Sequence, residues 1–419
     1  MQNRLMGFME FVAFVAACMA LNALSIDIML PALPALGQSY GLDDPNRAQS
    51  VIAIYLYGFG MAQILYGPFS DRFGRKPVLL AGLVLFVVAS GLTTLAPDFH
   101  WMLIGRFLQG LGAGAPRVIA LSLTRDRYAG AQMGRVMSLV LMVFMAIPVL
   151  APSLGQVMLW FLPWRWIFGV LTLGGLALAS WAIWRLEETL NPDNRRSIAP
   201  LAILAGYWET LRNPVCLSYM IAMGVIFGAL VGFLTSAQQI FSEVFGVGDR
   251  FTLLFACIAL MMSLASFFNS RWVMRFGLKR LSNLALAGFL AVGLVHLAVA
   301  GLGGESVVVF VLLLGLTMFC FGFLGANFNS LAMEPMGHIA GTASSMIGFA
   351  SSMISTSCGY FIGQHYNGTV YPILIGNVCL GVLALLVVGI AHFLEKRRGK
   401  RRIRKDQEPF MQSGLGRLR

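Results

Sequence analysis

Gly67-Pro68-Phe69-Ser70-Asp71-Arg72-Phe73-Gly74-Arg75-Lys76-Pro77 decides how the rest of the chain is read. It is charged and punctuated by Gly and Pro, and apolar runs flank it at about residues 48–66 and 78–96. Each run approaches the ~20 residues that a helix needs to cross a ~30 Å hydrocarbon core. The segment therefore reads as a tight loop at a membrane surface, and its basic residues put that surface on the cytoplasmic side. Part of it recurs about 200 residues later in Arg271-Trp272-Val273-Met274-Arg275-Phe276-Gly277-Leu278-Lys279-Arg280. The shared Arg-Phe-Gly-x-Lys aligns Arg72, Phe73, Gly74 and Lys76 with Arg275, Phe276, Gly277 and Lys279. A repeat at corresponding points of two halves is the mark of a transporter built by duplication.

Composition agrees. The 419 residues are 58% hydrophobic and 11% charged, against about 25% charged in soluble domains. This is the composition of an all-α polytopic membrane protein. The net charge of +12 does not point to nucleic acid, because roughly 25 of the 30 Lys and Arg fall on one side of the membrane. The basic tail Lys396–Lys405 sets topology or also holds anionic lipid. The six cysteines lie in or beside apolar runs with no Cys-x-x-Cys pair, so neither a disulfide framework nor a zinc site is expected. The first apolar run is too long for a signal-peptide core and is expected to remain as a span.

Hydropathy and breaks give twelve spans, at about 8–36, 48–66, 78–96, 100–124, 132–158, 165–185, 214–242, 250–273, 281–301, 306–331, 340–363 and 370–394. An even number puts both termini on the cytoplasmic side. The expected division is a first six-helix half (1–186), a polar linker (187–213) with Glu187, Glu188, Pro192, Asp193, Arg195, Arg196 and Pro200, a second half (214–394) and a basic tail (395–419).

Ionisable groups at mid-bilayer cost at least ~2.5–3.5 kcal/mol and each needs a reason. Asp27, Arg106 and Arg117 are the three. Pro31 has no N–H for the carbonyl of Asp27, so the first helix is loosened there. A carboxylate at such a point either carries a proton or stays paired with an arginine. At ~1.5 Å per residue, Asp27 and Arg106 fall at similar depth, so they pair if their helices adjoin. Arg117 follows Arg106 by about three turns on the same face; it lines a cavity or snorkels to the inner interface. Arg106, Gln109, Gly110, Ala113 and Arg117 read as a cavity wall. Gln238, Gln239, Asn327 and Asn329 are either cavity groups or interhelical hydrogen-bonding amides. Two fixed positives and one titratable negative suit a neutral, zwitterionic or weakly acidic amphiphile better than a dication. His100, His296, His338, His365 and His392 are scattered, and no catalytic set, metal cluster or phosphate loop is present, so neither an enzyme nor a cofactor is expected.

Gly67-x-x-x-Asp71-Arg72-x-Gly74-Arg75-Lys76-Pro77 resembles the loop 2–3 signature of the major facilitator superfamily, and Arg106-x-x-Gln109-Gly110 resembles its fourth-helix motif. Ser25-Ile26-Asp27-Ile28-Met29-Leu30-Pro31-Ala32-Leu33-Pro34, Arg125-Asp126 and Gly341-Thr342-Ala343-Ser344-Ser345 are similar to the Bcr/CflA branch of drug:proton antiporters. The resemblance implies the major facilitator fold of twelve transmembrane helices in two six-helix halves, in a bacterial inner membrane, most simply as a monomer. It implies proton coupling at Asp27 and Arg106, and a conformational lock at Gly67, Asp71, Arg72, Gly74 and Arg75. Asp71 would sit at the N-terminus of span eleven near Gly341, where a helix dipole favours an anion, and Asp126 would pair with Arg72 or Arg75. The fifth-helix antiporter motif is altered: Pro148, Pro152 and Gly155 stand, but Ala151 and Gln156 replace glycines. The second-half loop has Ser270 or Arg271 where the first has Asp71, so the lock is expected to be one-sided. The function implied is proton-coupled efflux of small amphiphiles. The alternatives are export of a physiological metabolite or peptide, and facilitative uniport.

Overall fold

The computed structural model describes residues 6–191 and 200–415, with side chains beyond Leu394 left aside. Pro192, Asp193, Arg195 and Arg196 of the expected linker, and the side chains of the basic tail, lie outside that description. Among the described residues, twelve long helices and two shorter ones follow one another: α1 Phe8–Asp27, α2 Leu33–Ser39, α3 Ser50–Phe73, α4 Arg75–Thr94, α5 Phe99–Arg127, α6 Gly130–Phe161, α7 Arg165–Arg185, α8 Pro200–Arg212, α9 Pro214–Gln239, α10 Phe251–Phe276, α11 Leu278–Gly301, α12 Val307–Met333, α13 Ala340–Gln364 and α14 Tyr371–Leu415.

Local chemistry sets many of the ends. Asp98 caps α5 by accepting from the Trp101 N–H at 3.0 Å, and Ser306 accepts from the Val309 N–H to start α12. Asn213 caps α9, with Pro214 at the first helical position. Ten stretches pass as membrane spans by length and apolarity. The shortfall from twelve has two causes. Arg106, Arg117 and the glycines of α5 dilute its apolar character, and α12 and α13 are joined only by the tight turn Glu334–Ile339, so they count as one 58-residue stretch.

The first span, expected over about 8–36 with its helix loosened at Asp27, is one apolar stretch, Phe8–Ser39, interrupted at that point: α1 stops at Asp27, and a 3₁₀ turn, Leu30–Ala32, precedes α2. Pro31 and Pro34 cannot donate to the preceding turn. One expectation is corrected: the stretch 67–77 is not a loop of that length. α3 runs through Pro68 to Phe73, and Gly74 alone breaks the helix, with φ 103° and ψ 159°. Gly277 makes the same break between α10 and α11, with φ 79° and ψ 154°. Both lie at positive φ, where a Cβ is disfavoured. The repeat seen in sequence is therefore also a repeat of backbone geometry.

Within the first six long helices α3 and α4 pack on α5, α4 on α7 and α1 on α6; within the last six α9 packs on α13 and α14, and α12 on α10 and α11. Between the two groups the main seams are α3 with α13 and α6 with α10. Each pairs the second long helix of one group with the fifth of the other. That reciprocity is what a two-fold-related pair of bundles produces.

Candidate functional site

Asp27 is the last residue of α1 and is 5% exposed. The break beyond it is held by α6: a Cβ on Gly155 would run into the Ile28 carbonyl and the Pro31 ring. Pro152 is buried and Pro148 half-buried, and α6 stays helical through both. The fifth-helix prolines and Gly155 thus shape the surface that receives the broken end of α1.

Arg106 does not pair with Asp27, although α1 and α5 adjoin. Its Nη1 donates to the Ser25 carbonyl at 3.2 Å and to Gln109 Oε1 at 2.6 Å, and its Nε donates to the Val51 carbonyl at 3.0 Å. The guanidinium lies 4.3 Å from the Tyr55 ring centroid and 5.6 Å from that of Phe168. Gln109 passes the network on to Ser90 Oγ at 2.7 Å, and Tyr55 donates to Asn22 Oδ1 at 2.9 Å. Arg106 and Gln109 are both 0% exposed, and Arg106 Nη2 is buried without a hydrogen-bond partner. The expected cavity wall is therefore an internal seam. Gly110 abuts the Tyr55 carbonyl and Gly114 abuts Ala62, letting α5 and α3 approach closely. Arg117 alone leaves that seam. It is half-buried, over the Phe144 ring of α6 at 5.8 Å, with no ion pair or hydrogen bond among the described residues.

At the Gly74 turn, Arg75 is buried and gathers three partners. Nη1 donates to Ser70 Oγ at 2.7 Å and Asp71 Oδ1 at 2.5 Å, and Nε donates to Asp126 Oδ2 at 3.0 Å. Glu188, just after α7, accepts from the Arg75 and Lys76 backbone N–H groups at 2.8 and 3.1 Å, at the electropositive N-terminus of α4. Thr189 donates to Asp126 at 3.1 Å. A Cβ on Gly74 would meet the Glu188 carboxylate. Arg72 stands apart over the Phe73 ring at 5.5 Å. Asp71 thus bonds to Arg75 within its own half. Gly67 of the same motif faces α13, where a Cβ would touch Ser345 Oγ. In the second half, Arg275 lies over the Phe276 ring at 5.6 Å and pairs with no carboxylate among the described residues.

Asn327 is not a free cavity group. It exchanges two hydrogen bonds with Asn269, at 3.1 and 3.0 Å, clasping α12 to α10. Gln238 is half-buried, donates to Ser242 Oγ at 3.3 Å, and lines a cavity of about 220 Å³ with Gln49, Gln239 and Glu243. Its neighbour Gln239 belongs to a cluster that joins the halves at the end opposite the Gly74 turn. Gln49 Nε2 donates to Gln239 Oε1 at 2.6 Å, Gln239 Nε2 to Asn46 Oδ1 at 2.9 Å, and Gln364 Nε2 to the Asn46 carbonyl at 2.7 Å. Sequence reasoning missed Asn46, Gln49, Gln364 and Glu188. Glu188 had a signal, an acid following a span; the amides had none.

Residues 15–360 match the family model described as Major Facilitator Superfamily. The chain belongs to that superfamily. It is therefore a multi-pass membrane transporter of the major facilitator type and not an enzyme. Among curated proteins, it is 28% identical over 397 residues to a bicyclomycin resistance protein homolog of Haemophilus influenzae, covering 94% of this chain and 98% of that one. It is 31% identical over 371 residues to the multidrug resistance protein MdtL of Klebsiella pneumoniae, covering 87% and 91%. Among solved structures it resembles a D-xylose–proton symporter, with TM-score 0.70 and 17% identity over 90% of this chain and 97% of the other. The human organic anion transporter MFSD10 matches with TM-score 0.60 and 16% identity, over 92% and 99%. The two structural likenesses are to the fold.

Proposed function

We propose that this transporter exports small amphiphilic compounds in exchange for protons, by rocking of residues 1–186 against 214–394 about the linker 187–213. The observation that carries the reading is Asp27: a nearly buried carboxylate at a broken helix, with no ion pair among the described residues. A charge held that way is expensive, and taking up a proton removes it. Arg106 supports Asp27 indirectly, by fixing α1 through the Ser25 carbonyl. The names of the relatives, bicyclomycin resistance and multidrug resistance, favour drug-like substrates.

With Arg106 and Gln109 inside the first bundle, Arg117 and Asp27 are the charges left for the substrate path. One of each sign suits a neutral, zwitterionic or weakly acidic compound. The basic residues at the Gly74 turn favour a cytoplasmic position for that end, and for both termini, in a bacterial inner membrane. The amide cluster then closes the outer mouth, and the Arg75 cluster is the lock at the inner one. The competing reading, uniport without protons, gives Asp27 no task.

The test is proton movement in everted vesicles with an acidic interior, probed with a phenicol and a dicationic dye. Exchange predicts that the phenicol discharges the gradient and that Asp27→Asn abolishes the discharge. A gradient that no compound discharges, while the protein still passes solute, would establish uniport instead. Discharge by the dye and not by the phenicol would overturn the charge argument.

A further inference from the structure

α3 carries Pro68 inside its last turns. A proline withholds the N–H that would meet the carbonyl four residues earlier, here Ile64. Inside a membrane span a bare carbonyl needs another donor. The donor comes from the linker: the Tyr207 hydroxyl of α8 donates to the Ile64 carbonyl oxygen at 2.9 Å.

α8 is built to deliver it. Ile203, Gly206, Tyr207 and Thr210 share one helical face, and all are buried or half-buried. The other face leaves Leu201, Leu204 and Trp208 exposed. The same helix also holds the second half. A Cβ on Gly206 would run into Thr342 of α13, and Glu209 meets His338 Nε2 at 2.7 Å in the turn before α13. α8 therefore grips both α3 and α13 near the point where Gly67 faces Ser345.

We propose that Tyr207 is a positioning residue: its hydroxyl latches the proline-bearing end of α3 to α13 through the linker helix. The latch is closed when α3 and α13 pack at the Gly74 end and is released when the halves part there. Only the release step rests on the rocking mechanism proposed above. The hydrogen bond itself is independent of what is carried.

The test compares four cysteine-free proteins in lipid nanodiscs, spin-labelled at Phe73→Cys and Gly337→Cys, with the inter-label distance distribution measured. In the Pro68 background, Tyr207→Phe shifts the population toward longer distances by about two- to tenfold, the change expected from one neutral hydrogen bond. In the Pro68→Ala background the Ile64 carbonyl already has its helical N–H and depends less on the hydroxyl, so Tyr207→Phe shifts the population clearly less. Equal shifts in both backgrounds, or none in either, would overturn the latch. Failure of drug-proton exchange with this distance pattern intact would count against the exchange reading and leave the latch standing.

Discussion

Arg106 shows what one side chain does in this membrane bundle. Its guanidinium reaches α1 and α3 at once through Ser25 and Val51, which requires a planar fork with several donors. Arg106→Lys keeps the charge but loses that fork. The expected outcome is an inserted protein whose thermal unfolding midpoint falls clearly, because each lost charge-assisted bond is worth about 1.5–3 kcal/mol. Gln109→Leu should fall less, since it removes one acceptor from Arg106 and leaves the two carbonyls. The sequence made Asp27 legible, because Pro31 marks the helix break four residues on. It did not make the direction of Arg106 legible. Helical rise gives depth and period gives which residues share a face, but neither says which neighbour that face meets. Gly110 and Gly114 on the same stripe met α3, and the polar residues beside them went inside with it.

Among the elements, α6 and α10 make the most testable contacts. Gly155→Val would drive a side chain into the Ile28 carbonyl and separate α6 from the broken end of α1. Transport should drop well below a tenth of wild type while the protein still inserts, as read by vesicle efflux against membrane abundance. For the Asn269–Asn327 clasp, Asn327→Leu alone strands a buried amide and should cost about 1–3 kcal/mol in a reversible unfolding assay. Changing both to Leu should cost less than either single change, because no polar group is then left unpaired. Twelve long helices were legible from hydropathy read together with charged and Gly/Pro breaks, although only ten stretches pass on length and apolarity alone. The course of α3 past Pro68 was not. Proline normally reads as a break, and here a tyrosine more than a hundred residues away supplies the missing hydrogen bond.

Across the whole molecule, the two reciprocal seams, α3 with α13 and α6 with α10, are the main contacts between the first and last six long helices, and the proposed rocking would take place on them. The amide cluster of Asn46, Gln49, Gln239 and Gln364 pins one end of them through neutral hydrogen bonds. Such bonds net about 0.5–1.5 kcal/mol each, so under the proposed rocking they would hold that end closed yet break without great cost. Gln239→Ala with Gln364→Ala should therefore speed labelling of a cysteine at Thr235 by an impermeant thiol reagent several-fold. No motif announced that cluster, since amides near helix ends are ordinary and their pairing depends on how the halves meet. In the proposed exchange, Asp27 gives up its proton when substrate binds. The most direct test is the pH change of a weakly buffered solution when a phenicol is added to the purified transporter. Release of protons by the wild type and none by Asp27→Asn, with binding retained, is the predicted result. Equal release by both proteins would contradict it.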